Sequence, residues 1–267
     1  MKTESDSLFS LKGKVVVITG GAGFLGMQYA RALGHSGAQV VIWDTKNVAV
    51  KKADVTLRSE VVDITSEHDV ESAVQKVMKQ YGHIDGLINN AAMNPAVGSA
   101  DAGKQFVPYE EYPVELWEKE LKVNLTGTMI CTKAIAPIMM KQKSGSIINI
   151  ASEVSVIAHD HRVYNDPEGR KFKSIAYTTT KAAVLGFTRQ WAARLGSYNV
   201  RVNAFSPGGM QTEAQPKDFV ERFSATNMLG RMAKAGEYNG IIVFLCSDAS
   251  SFMTGHNLVA DGGKSAW

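Results

Sequence analysis

The sequence predicts an α/β protein, a single domain over residues 1–267 built on a doubly wound parallel sheet. Short apolar runs rich in β-branched residues, such as V-V-V-I-T at 15–19 and S-I-I-N-I-A at 146–151, read as strands buried on both faces. They alternate with stretches of helical apolar spacing, and no repeat, linker or low-complexity stretch interrupts the alternation. The first run leads straight into a glycine-rich turn and a helix.

The totals fit this class. Of the 267 residues 45% are hydrophobic and 21% charged, and the net charge of +3 argues for neither nucleic acid nor membrane as partner. Cys131 and Cys246 lie in apolar contexts without a CxxC pair or ligand cluster, which reads as buried thiols and no metal site. The first ten residues are polar and no apolar run approaches a membrane span, so a cytoplasmic protein is expected.

Lys14–Thr19 is the first strand, followed by Gly20-Gly21-Ala22-Gly23-Phe24-Leu25-Gly26 and a helix from Met27 to about His35. Strand, glycine turn and helix are the context of a dinucleotide-phosphate site. Glycines let the backbone approach a pyrophosphate, whose charge sits at the helix N-terminus. The second strand, Gln39–Trp43, ends in Asp44. Its distance beyond Gly26 is close to the spacing at which an acid accepts hydrogen bonds from the adenosine ribose. A carboxylate there repels a 2′-phosphate, so NAD is expected over NADP. Lys46 works weakly the other way. Thr45–Arg58 leaves little room for a full crossover helix. A short strand at Glu60–Val62 reaches Asp63, and a helix spans about Glu67–Tyr81.

Strand Asp85–Ile88 runs into Asn89-Asn90-Ala91-Ala92, small and amide residues suited to a crevice where backbone and ligand meet closely. Met93–Pro113 is an irregular loop of a length that is usually functional or disordered. A long helix from Val114 to about Met140 carries Asn124, an amide among apolar neighbours that is either a core or a site residue. Ser146–Ala151 is the next strand and puts Ser152 at its carboxyl end, the edge where open α/β sheets bind ligands. Ala158–Lys173 is dense in charge. Its His159 and His161 lack a third metal ligand, and the segment reads as an insertion covering substrate, with a solvated loop as the alternative.

Ser174–Lys181, S-I-A-Y-T-T-T-K, places Tyr177 and Lys181 four residues apart at the start of a helical run, hence on one face. An ammonium beside a phenol favours phenolate and lowers its pKa from about 10 toward working pH, which a general base for an alcohol proton requires. Alone, the pair also fits a half-buried tyrosine beside a solvated lysine. Strand Val200–Ala204, the run Ser206-Pro207-Gly208-Gly209-Met210-Gln211-Thr212, helices at about Gln215–Asn227 and Glu237–Ser247, and strand Asn257–Ala260 complete the series.

In this order, the Gly20–Gly26 turn, Asp63, Asn89-Asn90-Ala91, Asn124, Ser152, Tyr177 with Lys181, and Pro207-Gly208 with Thr212 resemble the motifs of the short-chain dehydrogenase/reductase family, single-domain branch. The resemblance runs from Lys14 to Gly263. It implies a Rossmann-like fold and an NAD-dependent oxidoreductase. Tyr177 would be the acid/base, with Lys181 lowering its pKa and holding the nicotinamide ribose. Ser152 would bond the reacting oxygen, and Asn124 would help place a water-linked proton relay. The positive charge of NAD⁺ beside Tyr177 would favour the phenolate further. Cofactor contacts are implied for Gly20, Gly23, Phe24, Leu25 and Gly26, for Asp63 and Ile64 by the adenine, and for Asn90 and Ala91. Pro207 and Gly208 belong to a turn whose Met210 backbone and Thr212 would hold the carboxamide.

Three departures from the family pattern stand out, one of them the shortened helix after Asp44. The glycine turn is spaced T-G-x-x-G-x-x-G, as in the sugar-nucleotide-modifying branch, rather than T-G-x-x-x-G-x-G. Ser152 and Tyr177 stand farther apart in the chain than the family's common spacing, with Ser155 as the fallback serine. The added residues and the loop after Ala92 both leave strand carboxyl ends and should border one pocket. There Lys104, His159, His161, Arg162 and Tyr164 would meet a polar or anionic substrate. With the G-R-M-A-K run at 230–234 and the final Ala-Trp, they resemble members associated with acidic-sugar and surface-glycan metabolism. That implies a sugar, sugar acid or related polyol, its secondary alcohol or hemiacetal hydroxyl exchanged for a carbonyl. The resemblance also implies a homotetramer. Two other readings stay open: the same site run reductively on a keto intermediate, and an NAD(H)-binding regulator without chemistry. The full Asn124–Ser152–Tyr177–Lys181 set argues against the regulator.

Overall fold

The structure, a computed structural model, describes residues 8–48, 57–94, 105–164 and 171–267. Its strands are β1 (Val15–Thr19), β2 (Gln39–Asp44), β3 (Leu57–Val61), β4 (Gly86–Asn89), β5 (Gly145–Ile150), β6 (Val200–Pro207) and β7 (Asn257–Ala260). They form one sheet in the order β3-β2-β1-β4-β5-β6-β7, and every pair is parallel. The order reverses between β1 and β4, so the crevice outside their carboxyl ends is where such a sheet receives a ligand.

Alternation along the strands sorts the core onto two faces. Val15, Val17, Val41 and Trp43 point to one face, where they meet α2 (Glu67–Tyr81) and α4 (Gly127–Gln142) through Val70, Val74, Val77, Ile135 and Met139. Val16, Ile18, Val40 and Ile42 point to the other, against α1 (Phe24–His35) and α7 (Asn239–Cys246) through Tyr29, Leu33, Ile242 and Leu245. Three further helices lie among the described residues: α3 (Val114–Leu121), α5 (Ile175–Leu195) and α6 (Lys217–Ser224). Both cysteines are free and buried, and burial pushes their thiols up to about 12. Among the described residues no cluster of metal-ligating side chains occurs.

Several boundaries differ from the sequence reading for physical reasons. Helix α1 begins at Phe24, three residues early, because Gly23 already has the extended conformation of an N-cap. Strand β3 lies at Leu57–Val61 rather than Glu60–Val62; as an edge strand with mixed exposure it carries little apolar signal. Strand β6 runs on to Pro207 because β7 pairs alongside, Pro207 opposite Ala260. The long helix after Pro113 is broken: α3 passes through a π turn, Lys122–Thr126, before α4. The stretch Val114–Gln142 is long and apolar enough to cross a membrane by length and composition, contrary to expectation, but half of that window is buried in the protein. Its buried apolar residues, Ile130, Cys131, Ile135, Ala136 and Met139, belong to the core that packs on the sheet.

Candidate active site

A cleft of about 1080 Å³ runs along the carboxyl edge of the sheet, lined by the ends of β1, β2, β4, β5 and β6. Gly20, Gly23, Phe24, Leu25, Gly26, Asp44, Asp63, Ile64, Asn90, Ala91, Tyr177, Lys181 and Pro207 all contribute to its wall. The glycine turn is tightly built. Gly20 has φ +62°, and a β-carbon there would lie 2.6 Å from Cα of Ala91. Asn90 fastens the turn from the next strand, its Nδ2 donating to the carbonyls of Thr19 and Gly20, 3.0 Å each. Gly26 falls inside α1, where a side chain would strike the Gly20 carbonyl; it serves turn-to-helix packing. The N-terminus of α1 thus opens on the cleft without a side-chain cap, an arrangement suited to a phosphate.

Asp44 closes β2. Its Oδ2 accepts from the Ala22 amide and its Oδ1 from the Lys46 amide, both at 3.0 Å, so the carboxylate is held at the cleft's rim. Asp63 is braced likewise by Thr65. The turn after β6 behaves differently from its strand end. Pro207 lines the cleft, whereas the Gly208 amide is bonded to Ala260, Met210 is bridged to Ala233 and the Thr212 amide is bonded to Gln215.

Ser152, Tyr177 and Lys181 meet at one end of the cleft. Ser174 caps α5, accepting from the Tyr177 amide at 3.1 Å, and so sets the turn that presents the phenol. Ser152 stands beside the Tyr177 hydroxyl, close enough to lower its pKa. Ser155, the fallback, is spent on the Ser152 carbonyl and Ser206. Lys181 is buried, its ammonium 2.6 Å from the Ile150 carbonyl and 5.7 Å from the centre of the Tyr177 ring. The expected lowering of the phenol is not what the environment gives. Burial dominates and pushes Tyr177 up to about 12; Ser152 opposes this, and the charges of Glu153 and Glu120 add to it. Burial also lowers Lys181, to about 8.

Asn124 sits in the π turn with its side chain fully used. Its Oδ1 accepts from the Met93 amide at 2.7 Å, and its Nδ2 donates to the Met93 carbonyl and to Thr180 on α5. The amide therefore docks the segment after β4 onto α5; any relay role would run through what it positions.

Of the expected substrate residues, His159 and His161 join the site, Arg162 does not, and Lys104 lies outside the described residues. The His159 ring lies 6.4 Å from the Tyr177 ring, and its Nε2 is buried without a hydrogen-bond partner among the described residues. Burial, helped by the charges of Lys173 and Lys264, lowers its pKa to about 3, so it is neutral. His161 bonds Tyr109 at 2.9 Å and packs on Phe172. Arg162 is turned to the surface, its guanidinium in two 2.8 Å bonds to Asp160. The reason is local: Asp160 is two residues away and offers both oxygens.

The sequence reading missed a buried polar group behind Tyr177. Glu120, fully buried on α3, accepts from Ser174 Oγ and from Tyr112, and its carboxyl is raised by burial. Lys173 is buried near it, with its ammonium 5.5 Å from the Tyr177 ring centre and 4.9 Å from that of Phe106. One signal was available: Lys173, Tyr177 and Lys181 repeat at four-residue spacing. Glu120 likewise stands four residues before Asn124.

Comparison with known proteins agrees with this geometry. Residues 21–265 match the family model described as enoyl-(acyl carrier protein) reductase. The chain is 34% identical over 263 residues to 3-oxoacyl-acyl-carrier-protein reductase of Thermotoga maritima, covering 95% of this chain and 98% of that protein. It is 34% identical over 266 residues to NAD-dependent glycerol dehydrogenase of Listeria innocua, covering 97% and 96%. With 5-keto-D-gluconate 5-reductase of Escherichia coli it shares 31% over 271 residues, covering 97% and 98%. Among solved structures, a short-chain dehydrogenase of Leptospira borgpetersenii with bound NAD⁺ superposes with TM-score 0.86 at 28% identity, covering 99% and 96%. A gluconate 5-dehydrogenase of Burkholderia cenocepacia in complex with NADP and tartrate gives 0.83 at 26%, covering 99% and 100%. A seven-stranded parallel sheet with a glycine turn at its switch point, a tyrosine and lysine one helical turn apart, and relatives matched over nearly their full length lead to one conclusion: the chain belongs to the short-chain dehydrogenase/reductase family, oxidoreductases that act on CH–OH groups with a nicotinamide cofactor.

Proposed function

We propose that the chain is an NAD-dependent oxidoreductase that interconverts a secondary alcohol or hemiacetal hydroxyl and a carbonyl on a sugar, sugar acid or related polyol. The observation that carries this reading is the set of polar side chains gathered around Tyr177, which itself lines the cleft. Ser152 stands close enough to the phenol to favour its ionised form, and His159 presents a buried, unpartnered Nε2 with its ring 6.4 Å from that of Tyr177. Polar groups fixed in a partly aromatic wall suit a small, hydroxyl-rich substrate. The glycerol dehydrogenase and the ketogluconate reductase among the relatives favour the same class.

The residues fit a nicotinamide dinucleotide, since Gly20 and Ala91 make a cradle that a side chain would fill and α1 opens on it. The Gly20–Gly26 turn would hold the pyrophosphate, Asp44 the adenosine ribose, Asp63 and Ile64 the adenine edge, and Lys181 the second ribose. Asn90 and Ala91 form the wall between them, with Pro207, Gly208, Met210 and Thr212 toward the carboxamide. When bound, the cofactor supplies the hydride acceptor. In oxidation the Tyr177 oxygen takes the hydroxyl proton and Ser152 holds the same substrate oxygen. The ammonium groups of Lys173 and Lys181, 5.5 Å and 5.7 Å from the ring centre, supply the field that favours phenolate against burial. His159 Nε2 bonds a neighbouring hydroxyl or carboxylate, and His161 backs it. Asp44 sets NAD over NADP, because a carboxylate at the ribose repels a 2′-phosphate. The tetramer proposed from the family and a cytoplasmic location complete the reading.

The test is NADH or NADPH formation with NAD⁺ and NADP⁺ separately, on polyols, neutral sugars, uronic acids and simple secondary alcohols. Turnover on a sugar or sugar acid with NAD⁺, reduced about 10²–10⁴-fold in Tyr177→Phe, is the expected result. Turnover only with NADP⁺ would remove the role given to Asp44, and turnover only on apolar alcohols the role given to His159. The second reading, a reductive ketoreductase, is favoured by the acyl-carrier-protein reductase relative. It predicts faster NAD(P)H consumption on keto substrates than alcohol oxidation at neutral pH.

A further inference from the structure

Directly behind the site lies a charged pair that the chemistry above does not use. Glu153, the residue after Ser152, and Lys264, in the turn after β7, form an ion pair of 2.9 Å with each side chain only 6% exposed. Burying two charges is costly, and an apolar pair of the same volume would serve stability as well. What the pair does carry is geometry, because its carboxylate also bonds the turn after β6 while its ammonium comes from the turn after β7.

Glu153 Oε1 takes the Lys264 ammonium, while Oε2 accepts from the Gly209 amide at 3.1 Å. Gly208 is wedged so closely that a β-carbon there would lie 3.0 Å from Oε2 and 2.6 Å from Cα of Asp261. Tyr238 fixes Gly208 from the other side, donating to its carbonyl at 3.1 Å. Lys264 is held in turn: its ammonium lies 3.9 Å from the centre of the Phe223 ring, and Asp261 accepts from the amides of Gly263 and Ser265 on either side of it. The carboxyl ends of β5, β6 and β7 are thus joined through one carboxylate.

We propose that Glu153 and Lys264 are positioning residues of the reaction, tying Ser152 to the turn after β6 so that the substrate oxygen and the cofactor's carboxamide end keep a fixed relation. This rests on the assignment of Ser152 and Pro207–Thr212 to the site. Lys264 has a second consequence. Without it, Glu153 would be an uncompensated carboxylate one residue from Ser152, and its charge is already among those opposing ionisation of Tyr177.

The test uses the full chain with Lys264→Met, Glu153→Gln and the double variant. Affinity is measured by titrating NADH or NADPH, whichever binds the unaltered protein more tightly, alongside kcat on the alcohol turned over best and the thermal midpoint. Lys264→Met is expected to weaken cofactor binding and to lower kcat by about tenfold each, a misplacement effect rather than a loss of fold. The double variant buries no unpaired charge and keeps an amide oxygen at position 153 to accept from Gly209, so it is expected to recover most of that loss. Should Lys264→Met not fold, Glu153→Gln carries the test, with about a fivefold loss in kcat/KM expected. The proposal is overturned if the single variants lower only the thermal midpoint, leaving affinity and kcat within twofold, or if the double loses as much as both singles together. Affinity is read without any substrate, so a silent substrate panel would sink the sugar reading and leave this one testable.

Discussion

At Tyr177 two influences of opposite sign meet, and their sizes decide which prevails in the protein by itself. A buried phenol loses more by ionising than the neighbouring Ser152 returns, so burial the sequence does not display, and not the lysine read from it, decides the direction of the shift. His159 is the same effect with the opposite charge. Its folded pKa of about 3 lies below the usual value of 6.5. The unfolded chain therefore binds the extra proton first as pH falls. The stability tied to a neutral His159 is complete above pH 6.5 and is lost as pH falls toward 3. From pH 7 to pH 5, urea unfolding of the unaltered protein should lose about 1–2 kcal/mol more than that of His159→Asn. Equal losses in the two proteins would show that the imidazole is free to protonate in the fold.

The helix that carries Tyr177 and Lys181 is placed by residues on its neighbour. Glu120 on α3 grips the Ser174 cap and Asn124 in the π turn grips Thr180, two contacts along one helix–helix seam. Ser174→Ala removes a cap and leaves a buried carboxylate short of a donor. It should cost about 2–3 kcal/mol in unfolding free energy, with Ser174→Thr close to unaltered. A loss below about 0.5 kcal/mol, the lower end of what a cap contributes, would show the cap to be replaceable by water. The strands and the glycine turn were legible because buried parallel strands and a tight βα turn leave strong local patterns. The seam was not: Glu120 reads as one more charge on a helix until the partner helix is in place. The π turn was hidden for a related reason, since one extra residue in a long apolar helix barely alters its periodicity. Arg162 shows the converse, a charge that looked free in the sequence and is claimed by Asp160 two residues away.

For the whole molecule, one sheet direction puts every strand's carboxyl end on one edge, so residues scattered from Gly20 to Pro207 reach one cleft. Its rigidity depends on the two cores beneath. Phe205 on β6 is fully buried and packs edge-on against Tyr238 at 5.4 Å, and Tyr238 in turn holds Gly208. Phe205→Ala should cost about 3–5 kcal/mol, and it should weaken cofactor binding even well below the melting range, measured by fluorescence titration. Unchanged affinity would confine Phe205 to stability. The π turn has a consequence of another kind, in what insertions and deletions the chain can tolerate. Removing one residue from Lys122–Thr126 would let α3 and α4 fuse into a regular helix, locally the better hydrogen-bonded form. A π turn takes up its extra residue locally, so α3 and α4 would keep nearly the same rotation about their axis. What would go is the widened turn that carries Asn124 and lets its amide reach both Met93 and Thr180, so the shorter chain would have the smoother helix and the poorer enzyme.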